Sequence, residues 1–194
     1  MKFVLSLAFI ATLMVCRAQT PKKEFYNDMF KWSITIPENF TSVEPAEWER
    51  LQNRGAAAVE RTYDQKVVNR AVTIFVFKSD RLNYFESNYQ PFDVAGKDDY
   101  IGSFRSTNQI LYGTFKAQMP NARLDSASSQ ETINGLTFQA FKVAIHFPND
   151  MVMDCWMYSR LFGNKEFSVN IMTVDKEKQR LLMEVWKQST FKIK

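Results

Sequence analysis

Three turn signals in the second half of the sequence decide how this part of the chain can pair. The dipeptide Asn134-Gly135 is typical of a two-residue β-hairpin. The other two turn signals are Pro-Asn-Asp at residues 148–150 and Gly-Asn-Lys at residues 163–165. A parallel connection needs a crossover of about a dozen residues, and these turns are much shorter. Neighbouring runs can therefore pair only antiparallel, which predicts a meander.

The runs between these turns have the composition of strands. In residues 136–147 the apolar and polar positions alternate, which places four apolar side chains on one face: Phe141, Val143, Ile145 and Phe147. Residues 151–162 and 166–174 are rich in β-branched, aromatic and other apolar side chains. Residues 122–132 are more polar and are expected to form an edge strand.

Two strands are expected before the meander. Residues 30–36 alternate and end at 37–39, with four side chains on one side: Phe30, Trp32, Ile34 and Ile36. Residues 70–78 are almost continuously apolar in their second half, which indicates a central strand. The aromatic segment 82–93 that follows is interpreted as a connection.

Two long amphipathic helices are predicted. The first is capped by Asp98 or Asp99 and ends at Pro120, and its apolar stripe comprises Ile101, Phe104, Leu111, Phe115 and Met119. The second runs from Asp175 to about Gln188, with its inward side chains expected to be Leu182, Val185 and Trp186.

A short helix over residues 45–53, closed by Gly55, completes the set. We therefore expect a single α+β domain over residues 19–194. In it an antiparallel meander is covered by two long helices, which makes an α/β/α sandwich.

The first residues have the parts of a secretory signal. A lysine precedes the apolar residues 3–15, and Ala18 is a small residue suited to the position before the cut. We expect residues 1–18 to be removed as a signal peptide of bacterial style. The domain would then be periplasmic or secreted.

A lipoprotein is the alternative to release. Leu13-Met14-Val15-Cys16 resembles a lipobox, although Val15 occupies a position where a small residue is expected. Lipidation of Cys16 would hold the domain at a membrane, because each buried methylene contributes about 0.8 kcal/mol to anchoring. Membrane contact is expected only in that case.

Composition excludes several classes of protein. Hydrophobic residues make up 45% and charged residues 24% of the chain, as in ordinary globular domains. Loss of Lys2 and Arg17 with the signal lowers the formal net charge from +4 to +2, too little to indicate a nucleic-acid partner. Cys155 is then the one remaining cysteine, so no intramolecular disulfide is expected. Its strand-like surroundings predict a buried, unreactive thiol.

Two segments make the sequence similar to the Mog1/PsbP-like family of small exported proteins. Residues 32–40 (WSITIPENF) resemble the opening strand of that family, which runs into proline and an aromatic residue. Residues 185–191 (VWKQSTF) resemble its closing helix and tail. The resemblance implies an α+β fold and a non-catalytic protein that docks on other proteins or supports their assembly. It identifies no functional residue.

Few residues suggest catalysis or metal binding. His146 is the one histidine, on the strand face opposite the Phe141 set, and no nucleophile elbow or nucleotide-binding loop is present. One cysteine and one histidine are too few for a zinc site, and helix capping explains Asp98-Asp99. We expect no enzyme and no cofactor; a hydrolase built on His146 ranks third among the hypotheses.

Two groups of side chains are candidates for a binding surface. The first is the aromatic connection, with Tyr84, Phe85, Tyr89 and Phe92. The second shares one strand face, with Asp154, Trp156, Tyr158 and Arg160. The first group alternatively covers the edge of the core. The second, if a helix covers it, becomes core with a buried ion pair.

The leading hypothesis is a non-enzymatic exported domain that binds a partner protein, or supports assembly, in the bacterial cell envelope. The second hypothesis is a pocket between sheet and helices that holds a small apolar or sugar ligand. A filled interface without a cavity would count against the second hypothesis.

Overall fold

The computed structural model describes residues 23–93 and 99–192. The predicted signal peptide (residues 1–18), the alternative lipidation site Cys16 and the possible cap Asp98 lie outside the described residues. Release and lipidation therefore both remain predictions. Within the described part of the chain, no helix is both long and apolar enough to span a bilayer.

Strands and helices follow one another largely as the sequence predicts. The strands are β1 (Lys23–Asn27), β2 (Trp32–Ile36), β3 (Thr41–Ser42), β4 (Val72–Asp80), β5 (Asn83–Pro91), β6 (Arg123–Ile133), β7 (Leu136–His146), β8 (Val152–Phe162), β9 (Lys165–Thr173) and β10 (Thr190–Phe191). The helices are α1 (Pro45–Tyr63), α2 (Tyr100–Gln118) and α3 (Lys176–Gln188).

Seven strands form one antiparallel sheet in the order β3-β4-β5-β9-β8-β7-β6. The predicted meander is confirmed, since β6, β7, β8 and β9 are neighbours both along the chain and in the sheet. The polar strand β6 lies at one edge, as predicted. Pairing of β5 with β9 joins the first half of the chain to the meander.

The turn between β6 and β7 is the two-residue hairpin that the Asn-Gly pair predicts. Ile133 pairs directly with Leu136, and Asn134 and Gly135 have φ angles of 49° and 78°. Both turn residues therefore adopt the left-handed conformation that a type I′ turn requires and that asparagine and glycine tolerate best.

One face of the large sheet, here called the back face, is covered by α3 and by a small sheet of order β1-β2-β10. Trp32 of β2 and Trp186 of α3 are fully buried. The Trp186 ring lies 5.4 Å from that of Tyr158, and the Trp32 ring lies 5.2 Å from that of Phe167. This aromatic cluster is the larger hydrophobic core, and burying each such side chain contributes about 1.5–3 kcal/mol.

The opposite face, here called the front face, is covered by α1 and α2. Phe104 of α2 packs on three meander side chains that the alternation placed together: Phe141, Val143 and Ile145. The side chain of Asp99 caps α2 by accepting a hydrogen bond from the amide of Ile101 at 3.1 Å. Trp48 of α1 packs on Tyr84 of β5.

The layers differ from the predicted pair of covering helices. Helix α1 does not stop at residue 53, so the expectation of a short helix was wrong, and Gly55 lies inside it. No atom lies within 4 Å of a Cβ added at Gly55. A glycine costs a helix about 1 kcal/mol, and the strong helix formers at positions 56–58, all alanine, offset that cost. The helix ends instead at Asp64, where φ is 50°.

The aromatic segment 82–93 is not a connection, and this interpretation was also wrong. It contains β5, which lies between β4 and β9 in the large sheet. The sequence pattern does not indicate a strand here, because Glu86 and Ser87 are hydrophilic although both are buried in the sheet. Hydrogen bonds satisfy them: the Ser87 hydroxyl, for example, donates to the carbonyl of Phe75 at 3.1 Å.

Candidate functional site

A cavity of about 320 Å³ lies between the front face of the large sheet and the helices α1 and α2. Strands β5, β8 and β9 form its floor, and the lining residues include Trp48, Gln52, Asn69, Ala71, Tyr84, Glu86, Asn88, Leu111, Phe115, Cys155, Met157, Asn170 and Met172. Its size is within the range of small-molecule sites.

The composition of α1 explains why this space stays open. Trp48 is the one buried residue of the helix. The middle of the helix carries Gly55 and the alanines at positions 56–58. Side chains this small cannot reach down to β5, whereas α2 lays Phe104 and Phe115 on the sheet. The sheet under α1 is therefore only partly covered.

A buried carboxyl stands in the floor of the cavity. Glu86 is 2% exposed, and it accepts hydrogen bonds from the side-chain amides of Asn88 at 2.7 Å and of Asn170 at 2.5 Å. Asn88 lies two residues after Glu86 on β5, and Asn170 is the cross-strand partner of Glu86 on β9. The sheet itself therefore aligns the three side chains on one face.

The surroundings of Glu86 favour its neutral form. Burial raises the pKa of the Glu86 carboxyl, and the hydrogen bonds from Asn170 and Asn88 oppose that rise without cancelling it. Among the residues that line the cavity there is no lysine, arginine or histidine. The carboxyl thus lacks a cationic partner in the cavity.

Aromatic rings form the wall beside the carboxyl. Trp48 and Tyr84 meet edge to face, with ring centroids 5.2 Å apart. Burial raises the pKa of the Tyr84 phenol, so this group stays protonated. The indole N–H of Trp48 is buried and has no hydrogen-bond acceptor among the described residues.

Cys155 also lines this cavity and is the free, buried cysteine that the sequence predicts. Burial raises the pKa of its thiol to about 12, and the charge of Asp154 adds to the rise. Only the thiolate is a good nucleophile. Cys155 therefore contributes an apolar contact to the cavity rather than reactivity.

A second depression, of about 400 Å³, lies beside the first one, where α1 meets β4 and β5, and it is rich in charge. Its basic residues include Arg50, Arg54 and Arg81, which are exposed. The Asp80 carboxylate lies 2.6 Å from Lys178 Nζ. Its mixed charges make it a weaker candidate than the front cavity, whose lining is mainly apolar.

The structure separates the aromatic residues proposed from segment 82–93. Tyr84 lines the front cavity, whereas Phe85 is fully buried on the back face. Tyr89 packs on Phe30 at 5.8 Å between ring centroids, and Phe92 is buried against Tyr100. These side chains point to both faces of the sheet, so they do not form one surface.

The second predicted group, which shares one face of β8 with Asp154, lies under α3 and the small sheet. Trp156 and Tyr158 are buried under α3 and the small sheet. Arg160 is half-buried and donates to the carbonyl of Thr137 at 2.7 Å. Of the two alternatives for this face, the structure therefore has the one in which the side chains belong to the core.

The expected buried ion pair is only half buried: Asp154 is 2% exposed, whereas the two lysines that pair with it reach solvent. Its two oxygens accept from Lys142 at 3.0 Å and from Lys176 at 2.9 Å. Burial alone would raise the pKa of Asp154, but the hydrogen bonds from Lys176 and Lys142 outweigh it and hold the pKa below its usual value. The pair stabilises the start of α3 on the sheet.

His146 takes part in a surface contact. It is half-buried, and its Nε2 lies 2.9 Å from the Asp125 carboxylate on the neighbouring strand. The described residues hold no group of three or more His, Cys, Asp or Glu side chains suited to a metal ion.

Sequence reasoning missed Glu86, Asn88 and Asn170. A signal was present in the alternation of β5, where Tyr84, Glu86 and Asn88 share one face. Their partner Asn170 lies far along the chain, so only the pairing of β5 with β9 reveals the cluster.

The fold has a known counterpart. The chain is similar to the solution structure of cyanobacterial PsbP (CyanoP) from Synechocystis sp. PCC 6803, with a TM-score of 0.56 and 8% sequence identity. The match covers 90% of this chain and 95% of that one. This confirms the predicted Mog1/PsbP-like resemblance at the level of the fold. No protein-family profile and no curated protein matches the sequence.

Proposed function

We propose that this chain is a non-enzymatic exported domain that binds another protein of the bacterial cell envelope. The PsbP-like fold supports the class of protein by analogy only. The observation that carries the proposal is an exposed apolar cluster beside an open strand edge.

The apolar cluster lies where α1 leads into β4. Its members are exposed, large and apolar: Tyr63, Val67, Val68, Val72 and Ile110. The Tyr63 hydroxyl donates to the carbonyl of Ile110 at 3.1 Å, which ties α2 to this cluster. Val68 is 75% exposed. Single exposed apolar residues are ordinary, but four of these five lie between positions 63 and 72 of the chain, and such a concentration of exposed apolar side chains supports an interaction site.

The strand edge lies next to these residues. On the side away from β5, β4 pairs with β3 only at Phe77 and Lys78. Among the described residues no strand pairs with residues 72–75 on that side. Their backbone groups can therefore pair with an added strand. We assign the site to an extended segment of a partner protein, with apolar side chains to cover Val68 and Val72.

Site-specific photo-crosslinking in the native cell tests this proposal. A photoreactive residue at Val72 should yield one adduct of defined mass, whereas the same residue at the exposed Ser128 of the polar edge strand should not. Val68→Asp should lower the adduct yield at position 72 several-fold. Equal labelling at positions 72 and 128 would refute the proposed surface.

Export is tested separately by the intact mass and the N-terminal peptide of the protein from its own cell. We expect a chain beginning at Gln19 in the soluble fraction. A chain beginning at acylated Cys16 in the detergent phase would instead support the lipoprotein. A chain that retains residues 1–18 would refute export.

A small-ligand pocket is the second candidate function, and the front cavity favours it. The interface between sheet and helices is not filled under α1, and the cavity combines apolar walls with a few converging polar groups. Binding of a small neutral aromatic compound, lost when Leu111→Trp fills the cavity, would support this function.

A further inference from the structure

We infer that the front cavity is a site for a small organic cation, a protonated amine carried on a compact apolar body. This inference rests on the second candidate function and names its ligand class. It follows from the chemistry of the floor and of the walls.

The floor offers an acceptor without a counter-charge. Each oxygen of Glu86 accepts one amide hydrogen bond, from Asn88 and Asn170. A carboxylate has about four acceptor positions, so capacity remains for further donors. An ammonium group supplies both donors and the missing positive charge, and such charge-assisted hydrogen bonds are about twice as strong as neutral ones.

The walls suit the rest of such a ligand. Trp48 and Tyr84 present aromatic rings beside the carboxyl, and aromatic faces attract cations. Further along, the lining is aliphatic, aromatic or thioether: Leu111, Phe115, Met157 and Met172. These side chains can bury a phenyl ring or a short alkyl chain.

Other ligand classes fit less well. An anion would approach the Glu86 carboxyl with no basic residue in the lining to receive it. A sugar presents hydroxyl groups on several sides, whereas Leu111, Phe115, Met157 and Met172 offer them no hydrogen-bond partner. The buried carboxyl therefore selects for one donor-rich, positively charged end.

Binding should be coupled to a proton. Three groups in the lining can ionise: Glu86, Tyr84 and Cys155. Burial keeps the phenol and the thiol protonated because it raises the pKa of both. An arriving ammonium favours the Glu86 carboxylate, so a neutral Glu86 would release its proton on binding. Affinity should therefore rise as pH rises through the pKa of Glu86.

The test compares 2-phenylethylamine with its neutral analogue 2-phenylethanol by titration calorimetry on the purified protein. We expect the amine to bind at least about tenfold more tightly than the alcohol, with proton release seen as a dependence on the ionisation enthalpy of the buffer. Glu86→Gln should abolish this preference. The control Glu24→Gln changes an exposed acid and should leave it unchanged.

Each other outcome has a distinct meaning. Equal binding of alcohol and amine overturns the cation assignment but leaves the pocket function standing. Binding of neither compound overturns both. A preference that survives in Glu86→Gln overturns the role of Glu86. If Glu86→Gln does not fold, Gln52→Lys provides a second variant. Its tethered ammonium should compete with the amine for Glu86 and lower the affinity for 2-phenylethylamine at least about tenfold.

Discussion

Loss of the Asn170 amide should destabilise the protein by an amount that depends on pH. The amide donates to the Glu86 carboxyl at 2.5 Å, and Glu86 is 2% exposed. A hydrogen bond to a charged group contributes about 1.5–3 kcal/mol to stability, and a neutral one about 0.5–1.5 kcal/mol. The coupling between the two side chains should therefore lie in the upper range when Glu86 is ionised and in the lower range when it is neutral.

The direction of the pH effect follows from the pKa of Glu86. Burial raises that pKa above its usual 4.5, so the carboxyl stays neutral to a higher pH in the folded protein than in the unfolded chain. The ionised carboxylate gains most from the Asn170 donor. The coupling free energy should increase as pH rises through the pKa of Glu86 in the folded protein.

The assay is a double-mutant cycle of Asn170→Ala and Glu86→Ala, with the free energy of unfolding measured in urea at several pH values. The cycle cancels the separate effects of each truncation. Asn88→Ala in place of Asn170→Ala should behave in the same way, since Asn88 binds the other oxygen at 2.7 Å. A coupling below about 0.5 kcal/mol at the alkaline end of the series, or one that does not change with pH, would contradict the reasoning.

Two further predictions concern stability. Leu182→Ala should lower the free energy of unfolding by about 2–5 kcal/mol because this side chain is fully buried, whereas Ile110→Ala at an exposed site should change it by less than about 0.5 kcal/mol in the same urea titration. Asp154 has a lowered pKa, so its contribution is present above its unfolded pKa of about 3.9 and is lost as pH falls through its folded pKa. Asp154→Asn should therefore reduce stability at pH 7 and flatten the acid limb of the stability curve; an unchanged acid limb would exclude this role.

The predictable part of the fold is the part with local signals. The hairpin at Asn134-Gly135 and the caps at Asp99 and Asp175 each depend on residues that are close in sequence, and all three are present. The length of α1 was mispredicted because Gly55 indicates a helix end, although the alanines after it continue the helix.

The remaining part of the fold depends on pairing between distant segments. Strand β5 was mistaken for a connection because its buried polar residues hide its character, and its neighbour β9 lies on the far side of α2 and most of the meander. The same separation in sequence between β5 and β9 is the reason that the cavity could not be predicted. Glu86 becomes a candidate only when Asn170 stands opposite it and α1 leaves the space above it open.

The closure of the small sheet also bears on when this chain can fold. Phe191 of β10 pairs with Trp32 of β2, and the amide of Lys192 donates to the carbonyl of Lys31 at 2.9 Å. Strand β2, the first core strand, is thus completed by residues that follow α3, at the other end of the domain. Contacts so distant in sequence slow folding, so we expect the complete burial of Trp32 to be a late step in the folding of this domain.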